Sequence, residues 1–209
     1  MRSALIGVLA VLVLSGCDSS SKRQPADNKS TSSASTSELP EGCTRVLDNY
    51  VTFYKTDDFV KLVSLYDSES LGELKGVISE IAADAQQDGK LGAFCNGMWG
   101  LTYQLSEIQD MTPEVMLVGL LKHKTSSRPD GFKASLGTLK YTTEDVVTRN
   151  ETTKQATLRF AGTDVNGIAF EFKENVVVLV RNGQWRLSLE KMVAAMRQHR
   201  AAIQAKKIH

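Results

Sequence analysis

The last third of the chain is a series of short alternating segments divided by turn residues, and nothing else in the sequence restricts the fold as much. Ala156, Leu158 and Phe160 alternate with Thr157 and Arg159. Ile168, Phe170 and Phe172 alternate with Ala169, Glu171 and Lys173, and Trp185, Leu187 and Leu189 alternate with Arg186 and Ser188. A period of two sends successive side chains to opposite faces of a strand. Val176 to Val180 is an unbroken apolar run, expected as a buried strand, and Leu136 to Thr148 is expected to begin the β region. Asn150 to Thr153, Asp164 to Gly167 and Arg181 to Gln184 are turn signals, the last with Asn-Gly at its centre. Connections this short join antiparallel neighbours, so a meander is expected.

Helical spacing precedes the meander. Val46, Leu47, Tyr50, Val51 and Tyr54 fall on one face of a helix over Thr44 to Lys55. Asp57 is expected to cap a second helix carrying Phe59, Leu62, Val63 and Tyr66. A third, starting at Ser68 or Ser70, carries Leu71, Leu74, Val77, Ile78, Ile81, Ala82 and Ala85 and stops at Asp88-Gly89. Trp99, Leu101, Tyr103 and Leu105 alternate with polar or small residues, which suggests a strand. Thr112-Pro113-Glu114 reads as a helix start, and Ser126 to Gly131 as loop. Glu190 to Lys207 reads as a helix with Lys191, Arg197, Arg200, Lys206 and Lys207 on it. Such a helix suits either an anionic surface or packing on the domain with its basic face in water. Helices followed by an antiparallel meander define an α+β domain, with the twisted sheet expected to wrap around the longest helix.

The N-terminus carries a different message. Arg2 precedes an apolar run from Ala4 to Leu14, too short for a spanning helix and of signal-peptide length. Leu14-Ser15-Gly16-Cys17 closes it and resembles the lipobox of bacterial lipoproteins. That resemblance implies cleavage before Cys17, thioether lipidation of its sulfur and acylation of the new N-terminus, with palmitate as the expected acyl group. The protein is then held to the cell membrane on its periplasmic or other extracytoplasmic face. Asp18 after the lipidated cysteine favours the inner membrane in enteric lipoproteins. Asp18 to Pro40 is rich in Ser, Thr, Asn and Lys and cannot bury enough surface to offset its ordering entropy. It is expected to be a tether with a span of roughly 25–30 Å. The expected organisation is a signal peptide over 1–16, lipidated Cys17 and tether over 17–40, a domain over 41–190 and a basic helix over 191–209.

Cys17 being taken by lipid, Cys43 and Cys95 remain, in a compartment where disulfides persist. A bridge between them is expected and would add roughly 4 kcal/mol by closing a loop of about 50 residues. Two free thiols are the alternative.

The broken helix pair at Lys55-Thr56-Asp57-Asp58-Phe59, the following Leu65-Tyr66-Asp67 and the final hairpin from Val178 to Leu187 resemble the cystatin-like, nuclear-transport-factor-like cone superfamily. The resemblance implies N-terminal helices packed in a strongly curved antiparallel sheet, here with an added C-terminal helix. Its enzymes, isomerases and dehydratases among them, place an Asp, Glu or His in the apolar mouth of the cone as acid or base. The candidates here are Asp58, Asp67, His123 and Glu171, and each has a simpler place: the first turn of a helix, the end of a helix, a solvated helix end, and the outer face of a strand. The residues expected to line a pocket are Tyr54, Tyr66, Trp99, Tyr103, Phe170 and Trp185.

The rest of the chemistry is sparse. His123, His199 and His209 show no ligand spacing, so no metal site is expected, and no cofactor either. With 25 basic and 24 acidic residues and a net charge of +1, the chain has no bulk attraction for nucleic acid. The functional expectation is a lipid-anchored binding or scaffold protein without catalysis of its own, with a protein partner or a small apolar ligand. The alternatives are a cone-pocket enzyme of isomerase or hydrolyase type and an envelope immunity or exclusion lipoprotein.

Overall fold

The computed structural model describes residues 39–126, 135–164 and 166–205. The leader, Cys17, most of the tether, most of the segment expected as loop after Ser126, and Lys206, Lys207 and His209 lie outside the described residues. Among the described residues there are seven helices and a four-stranded sheet.

Helix α1 (Glu41–Lys55) buries Cys43, Leu47, Tyr50 and Val51, one face at helical spacing, with Glu41 in its first turn and Lys55 in its last, each favourable for the helix dipole. Asp57 turns the chain with a φ of 54°. The cap falls one residue later than expected: Asp58 accepts a bond from the Lys61 amide at 3.3 Å and starts α2 (Phe59–Val63). Asp67 begins a helix instead of ending one, accepting from the Ser70 amide at 3.0 Å at the head of α3 (Ser68–Gln87).

The strand expected near Trp99 is absent. Leu91, Phe94, Cys95, Met98 and Trp99 fall at helical spacing and are buried in α4 (Leu91–Trp99). Gly100, with φ 69°, ends that helix, and Leu101 is left 58% exposed. A Cβ on Gly100 would sit 2.5 Å from the His123 ring, so both backbone freedom and space require glycine there. Then come α5 (Leu105–Asp110), opened by a capping box between Gln104 and Glu107, and α6 (Pro113–Ser126).

The sheet is a simple meander in the order β1 (Lys140–Asn150), β2 (Thr153–Thr163), β3 (Ala169–Arg181) and β4 (Gln184–Ser188), antiparallel throughout. Phe160 pairs with Phe172 and Val178 with Leu187, which aligns the apolar face across three strands. The two segments read separately from the sequence as Ile168 to Lys173 and Val176 to Val180 form one strand, β3. Asn182 and Gly183 both take positive φ, as a two-residue hairpin of type I′ requires. Helix α7 (Glu190–Ala205) follows.

Two apolar clusters result. In one, α1 and α2 pack on the sheet through Leu47, Tyr50, Phe59, Leu158, Phe160 and Val178. In the other, α3 to α6 and the start of α7 enclose Leu74, Ile78, Phe94, Met98, Ile108, Leu117 and Val193. The sheet therefore lies chiefly against the first helix, while the longest, α3, buries its stripe among other helices. Tyr66, Val118 and Leu121 pack against both clusters.

This division corrects the expected disulfide. Cys43 is buried in the sheet-side cluster and Cys95 in the helical one, and both are free thiols. Burial pushes the Cys43 thiol up to about 11, with Lys154 pulling the other way, and the Cys95 thiol donates to the Tyr103 carbonyl at 3.8 Å. Each behaves as a small apolar core residue.

The C-terminal helix is docked on the domain. Arg200 bonds Asp84 at 2.7 Å and also Glu80, Arg197 reaches Glu73 at 3.6 Å, and Val193 and Met196 are buried beneath. Part of the basic face read from the sequence thus meets the acidic flank of α3.

Candidate functional site

A cavity of about 370 Å³ lies where α1, the end of α6 and the first turns of α7 meet β2 and β3. Its wall is mostly apolar. Tyr50 and Tyr54, one helical turn apart on α1, stack with centroids 6.2 Å apart, and Phe160 and Phe172 stack at 4.8 Å across the β2–β3 pair. Leu120 and Leu121 from α6 and Met192 and Ala195 from α7 also line it.

Glu174 is the one carboxylate among the residues that line the cavity. It continues the inward-facing series Phe170, Phe172, Val176 and Val178 of β3, so the strand's period of two carries a carboxylate toward the core. The Tyr50 hydroxyl donates to its Oε1 at 2.9 Å. Burial raises the Glu174 carboxyl above its ordinary 4.5, while the bond from Tyr50 opposes that rise. Tyr50 is held well above its ordinary 10.0, first by burial and then by Glu174, Tyr66 and Tyr54. Tyr66 is raised by burial and then by Glu174 and Tyr54. These four side chains act on one another and form a single electrostatic group.

Lysines stand around this group. Burial holds Lys124 below the ordinary lysine range, and its ammonium donates to the Gly97 carbonyl at 3.5 Å. Lys191 is lowered by burial and then by Arg149, with Glu190 opposing. Lys173 pairs with Glu144 at 2.6 Å.

Of the residues expected to line a pocket, Tyr54 and Tyr66 line this cavity. Trp99 and Tyr103 form an edge-to-face pair within the helical cluster, 5.5 Å apart, and the Trp99 indole donates to the Met116 carbonyl at 3.1 Å. Phe170 packs beside Phe172 on the sheet side without reaching the cavity, and Trp185 covers α1 at Gly42, where an added Cβ would lie 2.6 Å from its ring. The acid–base candidates are elsewhere too. Asp58 caps α2 and pairs with Lys61 at 2.8 Å, Asp67 caps α3 and meets Arg181 at 3.3 Å, and His123 lies against Gly100. Glu171 pairs with Arg159 on the outer sheet face, which holds its carboxyl low.

The sequence reading missed Glu174, Lys124 and Lys191, and it placed Tyr50 in the core without assigning it to a pocket. For Glu174 a signal existed: an acid at the inward parity of a strand whose other inward residues are Phe and Val.

Among the described residues no group of His, Cys, Asp and Glu is arranged to hold a metal ion, and no helix is long and apolar enough to cross a membrane. No protein-family model matches the chain, and no curated protein matches it. Among solved structures, the chain is similar to an NTF-2-like protein of unknown function from Shewanella oneidensis MR-1. The two share 12% identity over 71% of this chain and 93% of that one, with a TM-score of 0.38.

Proposed function

We propose that this chain is a lipid-anchored, extracytoplasmic binding protein whose cavity takes a small, largely apolar ligand. The observation that carries the reading is the mostly aromatic and aliphatic cavity of about 370 Å³ with one carboxylate, Glu174, and three lysines in its lining, a composition that suits a small-molecule site. The anchoring half rests on Leu14-Ser15-Gly16-Cys17 and the polar segment behind it. In this reading Glu174 and Tyr50 orient the ligand and transform nothing.

Binding is tested with the uncharged fluorophore N-phenyl-1-naphthylamine. Saturable, blue-shifted emission at one probe per chain is expected, and Ala195→Trp, which fills the cavity from α7, should abolish it while the melting temperature is retained. Emission that never saturates, or that survives cavity filling, contradicts the reading. Anchoring is tested by metabolic labelling with radioactive palmitate: label and membrane fractionation are expected for the native chain and neither for Cys17→Ser.

One observation favours a second reading. A carboxyl of raised pKa, bonded to a phenol inside an apolar cavity, is suited to general acid–base chemistry of the isomerase or hydrolyase type. Turnover of a cavity ligand that is lost in Glu174→Gln with binding retained would establish it.

A further inference from the structure

We infer that the cavity selects a small organic ammonium ion, its nitrogen paired with the Glu174 carboxylate among Tyr50, Tyr54 and Tyr66. The inference rests on the cavity being a ligand site, as proposed above.

Glu174 closes no ion pair with any described residue. Its hydrogen bond comes from the Tyr50 hydroxyl at 2.9 Å, whereas a carboxylate offers about four acceptor positions. Its neighbours on the sheet differ: Glu171 is paired with Arg159, and Glu144 with Lys173 at 2.6 Å. A carboxyl in apolar surroundings either keeps its proton or is matched by a cation, and an ammonium ligand draws Glu174 to the second state. Here that partner is left for the ligand to supply.

The cavity's own lysines do not supply it. Lys124 reaches the Gly97 carbonyl, Lys173 pairs with Glu144 at 2.6 Å, and the charges acting on Lys191 are Arg149 and Glu190. None of the three comes within ion-pair distance of Glu174.

The surrounding rings have the matching character. Tyr50 and Tyr54 stack at 6.2 Å, and Tyr66 is near enough to both Glu174 and Tyr54 to shift with them. Aromatic faces carry negative potential and attract ammonium groups within about 6 Å, more strongly where water is excluded. A carboxylate among tyrosines therefore suits a cation. At about 370 Å³ the space falls in the size range of small-molecule sites and suits a single chain or ring.

The experiment compares three eight-carbon probes of one shape, octylammonium, 1-octanol and octanoate, by calorimetric titration at neutral pH. Octylammonium is expected to bind about tenfold or more tighter than octanol, as a charge-assisted pair to a desolvated carboxylate provides, and octanoate is expected to bind weakest. Glu174→Gln retains an acceptor for Tyr50, so its fold is maintained, and it should bring octylammonium down to the affinity of octanol. Equal binding of octylammonium and octanol to the native protein overturns the ammonium inference while the ligand site stands. Tightest binding of octanoate overturns it in favour of the lysines. Absence of binding by all three overturns the inference together with the reading beneath it.

Discussion

The Tyr50 hydroxyl and the Glu174 carboxylate meet at 2.9 Å across 124 residues of chain, joining the first helix to the third strand inside an apolar cavity. Because burial raises the Glu174 carboxyl, the folded state holds its proton more tightly than the unfolded state does. The corresponding stability is present below the unfolded carboxylate pKa and is lost as pH rises through the raised folded value. Glu174→Gln removes this dependence. Thermal melts at acidic and at mildly alkaline pH should show the variant gaining on the native protein as pH rises; parallel melting temperatures would contradict the assignment.

Asp67 is only 5% exposed, caps α3 through the Ser70 amide and meets Arg181 at 3.3 Å. Asp67→Ala loses the cap and the ion pair together and should lower stability by about 2 kcal/mol in urea unfolding, while Asp67→Asn keeps a capping oxygen and should lose less. Equal loss in both would show that the cap contributes nothing.

The docking of α7 depends mainly on buried methionine, with a smaller share from its arginines. Met196→Ala should lower stability by about 2–4 kcal/mol, and Arg200→Ala, at a partly exposed network with Glu80 and Asp84, by about 1 kcal/mol or less. Molar salt should weaken the native protein little. The reverse order of the two variants would make the helix an electrostatic attachment.

Cys43 and Cys95 are buried apart, so native protein should resist alkylation at both and label fully only in denaturant without reductant. A mass two hydrogens lower, with no labelling in denaturant, would restore the disulfide.

Much of this architecture was legible in the residues. The period of two in Ala156, Leu158 and Phe160, the Asn-Gly at 182–183 and the stripe from Leu71 to Ala82 each led to the element found, because local spacing and turn chemistry agree with the tertiary contacts there. Trp99 misled, because its alternation with Leu101 and Tyr103 competes with a helical stripe that begins earlier, at Leu91, and Gly100 ends that stripe. The cysteine count misled for another reason: compartment and parity say that a bridge is permitted, but only the packing shows that α1 and α4 bury their thiols in different cores. The cavity was half legible. Tyr54 and Tyr66 follow from helix faces, whereas bringing Lys124 and Lys191 to the same cavity as β3 depends on how α6 and α7 pack in the tertiary structure, which no local pattern encodes.

The most direct test of the cavity as a ligand site is amide chemical-shift mapping of the isotopically labelled domain titrated with N-phenyl-1-naphthylamine. Saturable shifts confined to Tyr54, Leu121, Glu174, Met192 and Ala195 are the expected result. Shifts gathered on the outer sheet face around Thr157 and Arg159, or none at saturating probe, would contradict it.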